Sequence, residues 1–281
     1  MKQNRHEEEL MKTMMKGFPR FPLYDVFEDF VEWAALTIRA PLEWKNQEEI
    51  NKRAKRLYDK YDEKERCTMQ RMMNLLVEAM QCNADCGEYT DTLSRIFQEA
   101  GIQNKHTGQF FTPWTIAYAG AKMQFTPKEA RRLIEEKGHV TVYEPAVGGG
   151  VMILALAQVM REEGFNPHKE LLIYATDIDY RCACMTYIHA SLYGIPAVIQ
   201  HGDELMLKLY QRWFTPVYVF DLWITKDEIL KGQHNDSKTE GNDAGRTGNG
   251  EPAYAGTKKR TGQDTRGNGA TFEQLALPGL S

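Results

Sequence analysis

Residues 140–156, VTVYEPAVGGGVMILAL, pass from a β-branched and aromatic run through an acidic residue and three consecutive glycines into an apolar helical pattern. That order of residue types reads as a strand ending in Glu144, a tight turn, and a helix starting near Val151. Gly148, Gly149 and Gly150 remove side chains so that a ligand can lie against the backbone, and they permit the positive φ such a turn often needs. The helix behind the turn points its free amide groups at that ligand. A dinucleotide-binding turn would continue as G-x-G-x-x-G; Val151, Met152 and Ile153 stand where that pattern continues, which weakens a nicotinamide reading.

Working outward, HVTVYEP (139–145), LLIYATD (171–177), AVIQHGD (197–203) and VYVFDLWI (217–224) are predicted strands, separated by helical segments over 151–163, 180–193 and 204–213. Their alternation predicts an α/β fold of βαβ units with about four parallel strands covered on both faces. Thr112-Pro113 and Thr126-Pro127 read as helix starts, with Glu129 completing a capping box on the second. The first hundred residues read as helices. One stripe runs through Phe27, Phe30, Val31, Ala34, Ala35 and Ile38, and another through Ile50, Ala54, Leu57, Tyr58 and Tyr61, where Asn46 and Glu49 have capping-box spacing. A third, Met69, Met72, Met73, Leu76, Val77 and Met80, is packing material rather than a metal site. A shorter helix through Leu93, Ile96 and Phe97 ends at Gly101.

The 281 residues are 42% hydrophobic, enough for a substantial core. No stretch approaches the ~20 apolar residues of a membrane span, and the start MKQNRHEEELMK is too charged for a secretory signal, so a cytoplasmic location is expected. Five cysteines in such a chain argue for reduced thiols. The spacings of Cys82 with Cys86 and Cys182 with Cys184 suit structural zinc poorly, and no metal is expected. The net charge of −4 lacks the basic excess that would announce nucleic-acid binding by itself. Residues 231–272 are too polar and glycine-rich to bury a core and are predicted to form a disordered tether to the apolar peptide 273–281. The predicted organisation is a helical domain over 1–105, an α/β domain over 106–230, the tether and the terminal peptide.

Three predicted strands end in acidic residues: Glu144, Asp177 and Asp203. A carboxylate at the tip of the second strand accepts both ribose hydroxyls of a nucleoside cofactor. The plainer alternatives are a helix cap for Asp177 or Asp179 and a turn for Gly202-Asp203. Upstream stands Gly108-Gln109-Phe110-Phe111-Thr112-Pro113. Together these strings resemble adenine-N6 DNA methyltransferases, and the upstream string resembles the modification subunits of type I restriction systems. E-P-A-V-G-G-G looks like their D/N-P-x-x-G-x-G motif, with Glu144 and Pro145 followed by Gly148 and Gly150 in the glycine slots. The resemblance, over about 106–225, implies a Rossmann-like S-adenosylmethionine-dependent methyltransferase fold, incomplete here, behind a helical N-terminal domain. It implies S-adenosylmethionine as cofactor, with the glycine turn beside its methionine portion and Asp177 on its ribose. Ile178 is then placed against the adenine ring, Asp203 facing the adenine amine, and Phe110, Phe111 and Thr112 closing over the whole. DNA is the implied partner, in restriction-modification.

The same family carries [DNS]-P-P-[YF] after its fourth strand, where the amide or carboxylate and a proline carbonyl orient the target amine and the aromatic ring stacks on a flipped base. Aligned on Phe220-Asp221, this chain offers Lys226-Asp227-Glu228-Ile229 instead. Thr215-Pro216-Val217-Tyr218 is a second candidate, but it precedes the predicted strand. No catalytic residue is assigned. The expected function is methyl transfer to adenine in DNA, with a catalytically inactive binding subunit acting beside a partner subunit as the alternative. His189 reads as a packed histidine. The terminal peptide Gln274 to Leu280 resembles peptides that dock on the sliding clamp, or is a casual apolar terminus.

Overall fold

A computed structural model describes residues 4–101, 111–221 and 223. In chain order the elements are α1 (Arg5–Gly17), α2 (Leu23–Arg39), α3 (Gln47–Tyr58), α4 (Glu63–Asp85), α5 (Thr92–Glu99), α6 (Trp114–Gln124), α7 (Pro127–Lys137), β1 (Val140–Glu144), α8 (Val151–Glu162), α9 (Pro167–Glu170), β2 (Leu171–Asp177), α10 (Tyr180–Leu192), β3 (Ala197–Asp203), β4 (Lys208–Phe214) and α11 (Pro216–Phe220). Phe110, the predicted tether and the terminal peptide lie outside the described residues. None of the described helices is long and apolar enough to cross a membrane.

The strands form one sheet in the order β1-β2-β3-β4. β1, β2 and β3 are parallel, with Glu144 level with Ala175 and Asp177 level with His201, so all three finish on the same edge. α10, the crossover from β2 to β3, is buried from Arg181 through Ala190. It is buried nearly all round because it lies between the sheet and α2. α8 is covered by α6. The buried apolar side chains run without a break from Leu10 and Phe27 through Phe97 to Ile173 and Trp213, so the N-terminal helices and the sheet share one core.

The fourth strand departs from the sequence reading. Residues 208–214, which overlap the helix expected over 204–213, form β4 and pair antiparallel with β3, while Pro216–Phe220, which overlaps the strand expected over 217–224, is helical. Three constraints favour the hairpin. Asp203 Oδ1 accepts the Met206 amide at 2.9 Å and closes the loop. Gly202 lets the strands approach, since a Cβ there would stand 2.7 Å from the Lys208 carbonyl oxygen. Trp213 is buried beneath the Arg39 guanidinium, 4.4 Å from its ring centre. The sheet is therefore mostly parallel, with one antiparallel edge strand, rather than four parallel strands.

Helix starts also differ from their sequence signals. Asn46 and Thr126 occupy N-cap positions without a side-chain capping bond, and Pro113 rather than Thr112 caps α6. Glu129 pairs with Arg132 instead of reaching back. The complete capping boxes are Asn4 with Glu7 and Asp62 with Glu65. Glu7 is fully buried, accepting from Asn83 at 3.1 Å and Thr92 at 2.8 Å and pairing with Arg95, so it joins α1 to α4 and α5. A formed box is worth more than a sequence pattern: Asp62→Ala is expected to cost about 1 kcal/mol. Asn46→Ala should stay within about 0.5 kcal/mol. Urea unfolding of both variants checks the contrast.

Candidate functional site

The glycine turn follows β1 and is held from two sides. Gly148 and Gly150 take φ of 57° and 96°, the left-handed region that favours glycine. From β2, Thr176 O accepts the Val147 amide at 3.0 Å and Asp177 Oδ2 accepts the Gly148 amide at 2.8 Å. From α10, Thr186 Oγ1 donates to Gly148 O at 2.8 Å, and His189 Nδ1 lies 2.8 Å from Gly149 O. Gly150 then stands as N-cap of α8.

Glu144, Asp177 and Asp203 all lie at the edge where β1, β2 and β3 end. Their environments differ. Asp177 is 8% exposed, and its second oxygen accepts the Asp179 amide at 2.8 Å. Burial pushes its carboxyl above the ordinary aspartate range, against the pull of the two amides. Glu144 is 2% exposed and accepts the Ala146 amide at 3.2 Å. Burial raises it too, and the Asp177 charge adds to the rise. Asp203 serves its own hairpin loop. Asp179 is the helix cap, accepting the Arg181 amide at 2.8 Å.

Around this edge, Ile178 is 63% exposed and Pro145 is exposed. Phe111 is buried, and its ring would lie 3.6 Å from a Cβ placed on Gly148. Thr112, beside it, is half-buried. Phe111 is fixed edge-on to Phe97 at 5.7 Å, and its carbonyl accepts from Gln98 Nε2 at 3.2 Å. The site is therefore partly walled by α5. Sequence reading missed Ser94, Thr186 and the wall residues Phe97 and Gln98, because each meets the site from a remote part of the chain and carries no local signature. Among the described residues no group of three or more His, Cys, Asp or Glu could hold a metal ion.

The second acceptor candidate lies elsewhere. Thr215-Pro216-Val217-Tyr218 directly follows β4, but β4 runs antiparallel, from Lys208 opposite Asp203 to Phe214 opposite Val198. Those pairs are five positions apart along β3, roughly 16 Å of strand. Thr215 Oγ1 donates to Ile195 O at 2.9 Å and accepts the Ala197 amide at 2.9 Å, at the start of β3. Tyr218 is buried and stacked on Phe214. The segment thus belongs to the sheet edge opposite the glycine turn. Phe220-Asp221, used above to place the acceptor motif behind a strand, instead closes α11.

A methyl group on Gly149 would overlap Ser94 Oγ. Gly149→Ala is therefore expected to cost about 2 kcal/mol as an overpacked site. Ser94→Ala should restore much of that loss in the double variant, a coupling that a double-mutant cycle by urea unfolding reads directly.

No curated protein is significantly similar to the chain. Among solved structures, a Listeria monocytogenes protein assigned to the class I S-adenosylmethionine-dependent methyltransferases is 14% identical, with a TM-score of 0.38. The match covers 69% of this chain and 52% of that one, so the chain spans about half the length of that protein. Residues 86–221, which include the glycine turn, all three acidic strand ends and α5, match the N-6 DNA methylase family, and S-adenosylmethionine is the cofactor that this match implies.

Proposed function

We propose that the chain binds S-adenosylmethionine across the ends of β1, β2 and β3 and serves methyl transfer to the exocyclic amine of adenine in DNA. The observation that carries the reading is the Asp177 carboxylate. It is buried at the tip of the second strand and locked to the glycine turn. Gly148 and Asp179 use one acceptor position on each oxygen, and a carboxylate has about four. The remaining positions suit two ribose hydroxyls. The residues fit the cofactor in other respects. Gly148 and Gly150 give the methionine portion bare backbone, Glu144 and Pro145 shape the entrance to the turn, and the exposed Ile178 offers an apolar face to adenine. On this reading Asp203 serves the adenine amine, and Phe111 and Thr112 lie beside the bound cofactor. The bound cofactor supplies its methyl as an electrophilic carbon on a sulfonium sulfur.

DNA as substrate and a place in restriction-modification are supported by the family resemblance alone, since the charge balance gives no basic surplus. A second reading, a cofactor-binding subunit that acts beside a partner, is favoured by one observation. The Thr-Pro-Val-Tyr segment, the one acceptor candidate wholly among the described residues, sits at the wrong sheet edge. On that reading the partner supplies the groups that orient the target amine. Docking of Gln274 to Leu280 on a sliding clamp is a separate part of the proposal. Incorporation of radiolabelled methyl into unmethylated DNA, by the chain alone and with its partner, separates the two readings.

Calorimetric titration should show binding of S-adenosylmethionine and none of NAD, with Asp177→Ala abolishing the heat; unchanged affinity in that variant counts against the pocket. The pH dependence has a defined sign. Ribose hydroxyls need the ionised carboxylate, and burial raises the Asp177 pKa. Affinity should therefore fall with decreasing pH before the ordinary aspartate pKa of about 3.9 is reached. Over the same window protonation of Asp177 and Glu144 stabilises the cofactor-free fold, because both bind protons more tightly folded than unfolded. Asp177→Asn should flatten the affinity profile.

A further inference from the structure

His189 lies in the middle of α10, fully buried, and touches two backbone groups that belong to different parts of the molecule. Its Nε2 is 3.1 Å from the Leu93 amide, and its Nδ1 is 2.8 Å from the Gly149 carbonyl oxygen. A backbone N–H only donates and a backbone carbonyl only accepts. Nε2 is therefore the bare nitrogen, Nδ1 carries the proton, and the ring is a neutral Nδ1–H tautomer fixed by its two partners. An imidazolium would aim a second N–H at the Leu93 amide, and burial opposes that charge as well.

The Leu93 amide is one of the donors that the start of α5 leaves without an intrahelical acceptor. The next, the Ser94 amide, is taken by Asp91 Oδ1 at 3.1 Å. Asp91 stands 3.8 Å from His189 Nδ1, farther than the Gly149 carbonyl and beyond hydrogen-bonding distance. One imidazole thus accepts from the first turn of α5 on one side and holds the centre of the glycine turn on the other. We propose that His189 is a positioning residue that transmits the placement of α5 to the glycine turn and thereby sets affinity for the nucleoside cofactor. This rests on the cofactor reading above.

Asparagine and glutamine separate the two halves of the bridge. The Asn amide nitrogen falls where Nδ1 stands and keeps the bond to Gly149 while losing the Leu93 acceptor. The Gln side chain reaches the Nε2 position and keeps the Leu93 acceptor while losing Gly149. Each variant forfeits one buried hydrogen bond, so similar losses of stability in urea are expected. Affinity for S-adenosylmethionine should then diverge, with His189→Asn close to the parent and His189→Gln weaker by about tenfold, the worth of one such bond. Nitrogen-15 NMR of the full chain should show a protonated Nδ1 and bare Nε2, and the Gly149 and Gly150 amide resonances should move in the Gln variant more than in the Asn variant.

An Nε2-protonated ring, or equal losses of affinity in the two variants, overturns the proposal. If the parent fails to bind S-adenosylmethionine, the cofactor reading falls. The tautomer and the glycine resonances need no cofactor and still decide whether His189 sets the turn.

Discussion

The bond from the Gly148 amide to the Asp177 carboxylate, 2.8 Å long and partly buried, is the contact on which the proposed site depends. It joins the turn after β1 to the tip of β2 at the point where a ligand would lie. A charged acceptor taking two backbone amides is worth more than a neutral hydrogen bond, typically about 1.5–3 kcal/mol each. That gain offsets the desolvation of the carboxylate only in part, and its pKa stays raised. The turn is therefore held by Asp177 at the tip of β2, whose carboxyl burial biases toward protonation.

The N-terminal helices are part of the same device. Arg181, at the start of α10, donates to Tyr24 on α2 and to Asp179 and lies over the Phe97 ring on α5. Buried Glu7 in turn fixes α5 to α1 and α4. Because interiors are close-packed, displacement of α5 is felt at the turn through side chains already in contact. The helical region acts as a wall of the site rather than as an appendage to the sheet.

How much of this was legible in the chain follows from where each signal resides. The glycine turn, β1 to β3, and helices α8 and α10 have local signatures and stand where residues 140–203 place them. The fourth strand does not, because Leu205, Met206, Leu207 and Leu209 satisfy a helical stripe as readily as a strand. Its state is decided by a bulge at Gly202 and a tryptophan socket built from α2 and α10. The capping boxes show the same division: four residues suffice to suggest one at Asn46, but tertiary partners decide that it forms at Asp62. Thr186 and His189 were invisible as site residues because their partners lie 38 and 40 positions away.

The family match and the carboxylates that share one edge of the sheet both support the cofactor reading proposed above. The acceptor half has no counterpart at that edge among the described residues. The most direct test is a crystal structure of the full chain with S-adenosylhomocysteine. The account predicts the ribose hydroxyls within hydrogen-bonding distance of the Asp177 carboxylate and the amino-acid portion against Gly148 to Gly150. A ligand bound elsewhere, or a glycine turn left empty at saturating ligand, would contradict it.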